Sequence, residues 1–103
     1  MSKEALDFLD EIIGEDFTFG SMIKNIRLTD YDNMTQKDFA SMLQLSIGRL
    51  SDIENDRKPT SIKKAIELAK QLEQSKRFFV ATVIQDMLNN NKLNYRVDLQ
   101  TAN

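Results

Sequence analysis

Neither cysteine nor histidine occurs anywhere in the chain. Their absence removes disulfides, thiolate nucleophiles, Cys/His zinc sites and the usual neutral-pH proton shuttle together. Glycine is scarce: Gly14, Gly20 and Gly48 are the whole supply, too few and too scattered for a phosphate-cradling loop. No apolar run approaches the roughly 18 residues of a membrane span. The opening MSKEALDFLDE is acidic where a secretory signal is basic. The many carboxylates fall in no recognisable acid/base or metal-ligand spacing. The expectation is therefore a cytoplasmic protein that is not an enzyme, with no cofactor, no metal and no membrane partner.

What remains is an ordinary globular composition. With 103 residues, 41% hydrophobic and 29% charged, the chain suits one domain with a modest single core. A net charge of −2 speaks against a nucleic-acid partner, but its distribution lifts that objection, although the basic signal is too modest to suggest DNA without a motif. Residues 1–16 hold six acids against Lys3, a net of −5, so the remaining 87 residues, with 13 bases and 10 acids, carry +3. The acidic end masks a mildly basic body.

The stretch Thr35–Pro59, TQKDFASMLQLSIGRLSDIENDRKP, reads as two short amphipathic helices joined by a tight turn. Thr35 caps the first, its side-chain oxygen accepting a free amide of the opening turn, and Asp38 makes a capping-box-like pair with it. Phe39, Met42 and Leu43 recur at helical spacing and face a core. Gln44 and Leu45 make the break, and Ser46 caps a second helix. There Leu50 and Ile53 point inward, leaving Ile47, Gly48, Arg49, Ser51 and Asp52 largely free. That is the pattern of a helix-turn-helix, whose second helix enters the DNA major groove.

Thr35, Gln36, Phe39, Ala40, Leu43, Leu45, Ser46, Leu50, Ser51, Ile53, Glu54 and Asn55 together resemble the XRE-type helix-turn-helix of the phage Cro/cI repressor family. Arg57, Lys58 and Pro59 follow where that family commonly has a basic, proline-containing loop. The resemblance covers the motif closely and the flanking helices, from about Phe19 to Leu72, loosely. Two departures stand out. Gln44 occupies a turn position that usually carries Gly, so it must accept a left-handed backbone or the turn must adjust. Asp56 likewise replaces a common Gly after the second helix.

The resemblance implies site roles. Base contacts would come from Ile47, Gly48, Arg49, Ser51 and Asp52, with Arg49 bidentate to guanine and Ile47 against a thymine methyl. Asp52 would accept from cytosine or orient Arg49. Phosphate contacts would come from Thr35, Gln36, Ser46, Asn55, Arg57 and Lys58. An arginine late in the preceding helix, here Arg27, would pair with Glu54 at the end of the recognition helix, its planar fork matching a carboxylate.

Outside the motif, Ser2 to Ile13 reads as an acidic N-terminal helix stopped by Gly14. A further helix begins after Thr18 with Phe19, Ile23 and Ile26 inward. Thr60 or Ser61 caps Ile62 to Leu72, whose apolar stripe is Ile62, Ala65, Ile66, Ala69 and Leu72. Ser75 caps a longer helix with a broad face of Phe79, Val80, Val83, Ile84, Met87 and Leu88. Then Leu93, Tyr95, Val97 and Leu99 alternate with polar residues, a period-two pattern that predicts a strand. A lone strand needs a partner edge, and a second copy across a two-fold axis supplies one. Val83, Met87, Leu93, Tyr95, Val97 and Leu99 are accordingly the expected dimerisation residues.

The expected architecture is thus all-α, a lambda-repressor-like helix-turn-helix bundle of about five or six helices with a C-terminal β-strand. Residues 1–16 form an acidic helix, 17–74 the DNA-binding domain and 75–103 a dimerisation element. The expected function is a sequence-specific transcriptional repressor that binds a palindromic operator in double-stranded DNA as a homodimer. Two alternatives stay open: an antitoxin that binds a toxin protein and represses its own operon, and a helix-turn-helix module that binds protein without DNA.

Overall fold

Every described helix begins at a hydroxyl. In the computed structural model, which describes residues 17–102, five helices follow in order: α1 (Phe19–Asp30), α2 (Gln36–Met42), α3 (Ile47–Glu54), α4 (Ile62–Gln71) and α5 (Lys76–Asn90). Thr18, Thr35, Ser46, Ser61 and Ser75 are their N-caps, and each side-chain oxygen accepts the amide three residues on. This is the geometry that satisfies a donor the helix itself leaves orphaned. The expected return bond from Asp38 to Thr35 does not form. The reciprocal capping box is at Thr18 and Ser21 instead, where a short serine reaches back as a glutamate would. The expected helix at Ser2–Ile13 lies outside the described residues.

The helix ends are less conventional. Gln44, Asp56, Glu73 and Lys92 all have φ between 55° and 59°, a left-handed conformation that usually goes to glycine. Each closes the helix before it with paired bonds, such as Leu45 N to Ala40 O at 2.8 Å and Gln44 N to Ser41 O at 3.0 Å after α2. Gln44 thus accepts the left-handed backbone, and the helix-turn-helix turn keeps its geometry without glycine. At Asp56 the strain is offset by a new role. Its carboxylate accepts the Gly20 amide at 3.0 Å and the Thr18 hydroxyl, which ties the start of α1 to the end of α3. Gly20 is required there, because a Cβ would overlap Ile53 O and the Asp56 carboxylate.

The core lies between α1, α3, α4 and α5, with α2 laid against α3. Phe19, Ile23, Phe39, Leu43, Leu50, Ile53, Leu68 and Phe79 are its largest fully buried side chains. Phe19 and Phe79 meet edge to face at 5.5 Å, an arrangement that suits the ring quadrupoles. On α4 the stripe is shifted from the expected one. Leu68 is fully buried while Ile62, the first residue of the helix, stands 42% exposed.

The C-terminal β-strand is not present among the described residues; Leu93–Gln100 has no regular secondary structure. The alternation is visible, with Val97 and Leu99 half-buried and their neighbours exposed. What is missing is a second edge. The segment is tied to α5 through Gln85, which donates to Tyr95 O at 2.7 Å and accepts the Val97 amide at 2.8 Å. A single carboxamide imitates one peptide unit and gives two bonds, too few for a ladder.

Two stability tests follow from these contacts. Gln44→Gly should raise stability by about 0.5–1 kcal/mol by relieving the left-handed strain. Asp56→Gly relieves the same strain but should lower stability by about 1 kcal/mol, since hydrogen bonds to a charged acceptor are lost. Urea unfolding of both variants measures the opposite signs. The second test concerns Asp86, which accepts the Phe19 amide at 2.9 Å. Burial pushes its carboxyl up from the ordinary 3.8 to about 6; the Phe19 bond opposes the shift and the Asp56 charge reinforces it. The folded state therefore holds this proton more tightly than the unfolded chain. That contribution is full below about pH 4 and is lost as pH rises through about 6. Asp86→Asn lacks this loss, so its urea midpoint should gain on that of the parent between pH 4 and 7; a constant difference would refute the shift.

Candidate nucleic-acid interface

Glu54 ends α3 and is buried, its side chain only 3% exposed. Arg27, late in α1, meets it in a two-pronged contact, Nε to Oε2 at 2.8 Å and Nη2 to Oε1 at 2.9 Å. Hydrogen bonding to Glu54 holds the guanidinium above its ordinary pKa, against the opposing effect of burial. Gln36 adds a longer contact, Nε2 to Glu54 Oε1 at 3.5 Å, so a residue of α2 also touches the base of α3. The expected Arg27–Glu54 pair is therefore present with bidentate geometry, and it fixes the C-terminal end of α3 to the two helices that carry it.

The N-terminal end of α3 is left free. Ile47 is 46% exposed. An added Cβ on Gly48 would meet nothing within 4 Å, so neither packing nor backbone strain inside the chain requires glycine there. Arg49 is half-buried, its amide satisfied by Ser46 at 3.0 Å, and its guanidinium has no hydrogen-bond partner among the described residues. Thr35 and Ser46 are exposed; their oxygens accept amides of their own helices, which leaves each hydroxyl proton available to an outside acceptor.

One turn further along, the polar side chains are engaged with one another. Arg57 Nη1 lies 3.0 Å from Ser51 Oγ and 3.1 Å from Asp52 Oδ1. Asn55 Nδ2 donates to Ser51 O at 2.8 Å. Asp52 is thus partnered by Arg57, and the reading in which it orients Arg49 is not what the structure shows. Lys58 and Asn55 are exposed at the same end. On α3 and the turn after it, Ile47 to Arg49 thus form a free tip, and Ser51, Asp52, Asn55 and Arg57 an interlocked end. Sequence reasoning missed the Asp56 clasp on α1; its signal was the unusual Asp at a glycine position, with Gly20 and Thr18 as the partners.

Among the described residues no helix is long and apolar enough to cross a membrane. The family model described as helix-turn-helix matches residues 23–79, more than half of the chain and the whole of α2, α3 and α4. No curated protein and no solved structure gives a significant match.

The buried fork generates a test of asymmetry. Arg27→Met or Glu54→Leu alone should cost about 3–5 kcal/mol, because each leaves the opposite charge stranded. The double variant leaves no charge behind and should cost well under the sum of the two. Thermal unfolding of the four proteins completes the cycle.

Proposed function

The chain belongs to the XRE-type helix-turn-helix family, a family of DNA-binding regulator domains, and from that premise we propose that it is a sequence-specific repressor acting as a homodimer on a near-palindromic operator. The observation that carries this reading is the free tip of α3. Ile47 is exposed, Gly48 has open space over it, and the Arg49 guanidinium is unpartnered among the described residues. Glycine loses more conformational freedom on folding than any other residue, and nothing inside the chain calls for one at Gly48. Close approach by something outside the chain is a reason to keep it.

In this reading Arg49 contacts guanine, Ile47 touches a thymine methyl, and Ser51 and Asp52 reach the adjoining base edges. Thr35, Gln36, Ser46, Asn55, Arg57 and Lys58 hold phosphates and set the register. The second subunit would dock on α5 and the tail after it. Met87, Leu93 and Tyr95 are 42%, 45% and 69% exposed, three large apolar side chains close in sequence and outside the motif. Such a dimer would set its recognition helices about one DNA turn, ~34 Å, apart. The same apolar residues also support a second reading, in which they bind a toxin protein while α3 represses the operon of both.

A duplex selected from a random pool tests the proposal. Its affinity should fall by orders of magnitude between about 50 and 200 mM salt, as released counterions dictate. Arg49→Ala should relax preference at one base pair per half-site, by about 1–3 kcal/mol. Gln36→Ala and Asn55→Ala should weaken all duplexes alike. Sedimentation of the same samples should show two chains per duplex, and Met87→Lys should reduce that to one. Weak binding that is flat with salt would refute DNA recognition.

A further inference from the structure

Asp52 stands four residues after Gly48 and so shares its helix face, the face offered to DNA. A bare carboxylate there would be repelled by the phosphates. In the free protein it is covered: Arg57 Nη1 sits 3.1 Å from Asp52 Oδ1 and 3.0 Å from Ser51 Oγ. The main chain holds the same two residues together, with Arg57 N donating to Asp52 O at 3.0 Å. The left-handed Asp56 between them sets that return. Arg57 is therefore placed over Asp52 by the backbone, with its side chain 56% exposed and that of Asp52 28% exposed. Ion pairs at such exposure contribute little, which makes this one easy to exchange for other partners.

We propose that the Asp52–Arg57 pair is an exchangeable latch that makes Asp52 a specificity-determining residue. The inference rests on the DNA-binding reading above and deepens it. At a cognate site the N4 amino group of a cytosine takes the Asp52 carboxylate, and Arg57 is released to the neighbouring phosphate. At a non-cognate site no amino group is offered. Arg57 then either stays on Asp52, and one phosphate contact per subunit is lost, or leaves it, and a bare carboxylate faces the backbone. Both outcomes penalise the wrong sequence, so the pair discriminates by repulsion as well as by attraction.

Asp52→Asn in the full chain is the test, because it removes the charge that retains Arg57 while keeping the shape of the side chain. Three quantities are measured on the selected duplex and on a scrambled duplex of equal length. First, affinity for the scrambled duplex should rise about tenfold, with little change on the selected one. Second, the salt slope on the scrambled duplex should steepen by about one per subunit as Arg57 reaches phosphate, while the slope on the selected duplex stays in place. Third, selection with the variant should move the preferred base at one position from cytosine towards adenine, the usual partner of an asparagine side chain. If both duplexes gain equally and the preferred base is unchanged, Asp52 acts only through bulk charge and the latch is refuted, although DNA binding stands. If the parent protein distinguishes no duplex at any salt concentration, the underlying reading fails and the latch with it.

Discussion

The fork between Arg27 and Glu54 is the constraint on which the rest of the structure depends. α3 spans Ile47–Glu54, about two turns, and a helix that short has no stability of its own in water. It is helical because Leu50 and Ile53 are buried beneath it and because Glu54 is gripped at its last residue. A carboxylate as buried as this one would ordinarily be excluded from a core. Both prongs of a guanidinium compensate its lost hydration and specify one orientation, which a hydrophobic contact of equal area would not. The consequence is mechanical: α3 is anchored at its end, and its start is free of intramolecular demands.

Around that anchor the chain solves its helix ends without glycine. Four of the five described helices stop at a left-handed Gln, Asp, Glu or Lys, each at a cost of roughly 1–2 kcal/mol. At Asp56 the substitution has a purpose that a glycine could not serve. The side chain turns back to hold the Thr18 hydroxyl and the Gly20 amide, so the turn that closes α3 also fastens the start of α1. Gly20 is committed to this junction, where the backbones come too close for a Cβ, and Gly48 stands on the outer face. Of the two described glycines, then, one is held by close approach within the chain and the other has open space over it.

How much of this was legible depends on whether the signal was local. The caps were, since a hydroxyl before an apolar-periodic run declares a helix start in a few residues: Thr35, Ser46 and Ser75 cap where the pattern placed them. The Arg27–Glu54 pair was legible only through the family resemblance, because 27 positions separate its members. The stops were obscure at Glu73 and Lys92, where ordinary polar residues adopt a conformation that composition does not announce. Leu93–Gln100 shows the opposite failure. Its alternation turns only Val97 and Leu99 partly inward, while Leu93 and Tyr95 stay exposed; a strand is defined by a neighbouring edge, and periodicity carries no information about whether one exists. The Arg57–Asp52 contact was hidden for the same reason as the clasp at Asp56: both require the chain to fold back through a left-handed residue that sequence pattern would assign to glycine.

The disposition of the acids explains why net charge was a poor guide to the partner. Glu54 is turned inward onto Arg27. Asp56 and Asp86 are aimed at the opening turn of α1, where helix amides present partial positive charge. Asp52 remains on α3, and Arg57 covers it. Of the carboxylates on α3 and in the turn after it, none confronts an approaching polyanion without a cationic or amide partner. Formal charge counts these groups as if all faced solvent equally. A fold that directs them to its own helix start and to its own arginines makes the surface of α3 and the turn after it more hospitable to phosphate than a count of their carboxylates suggests. The placement of charge by the backbone, rather than its sum, is the quantity that bears on recognition.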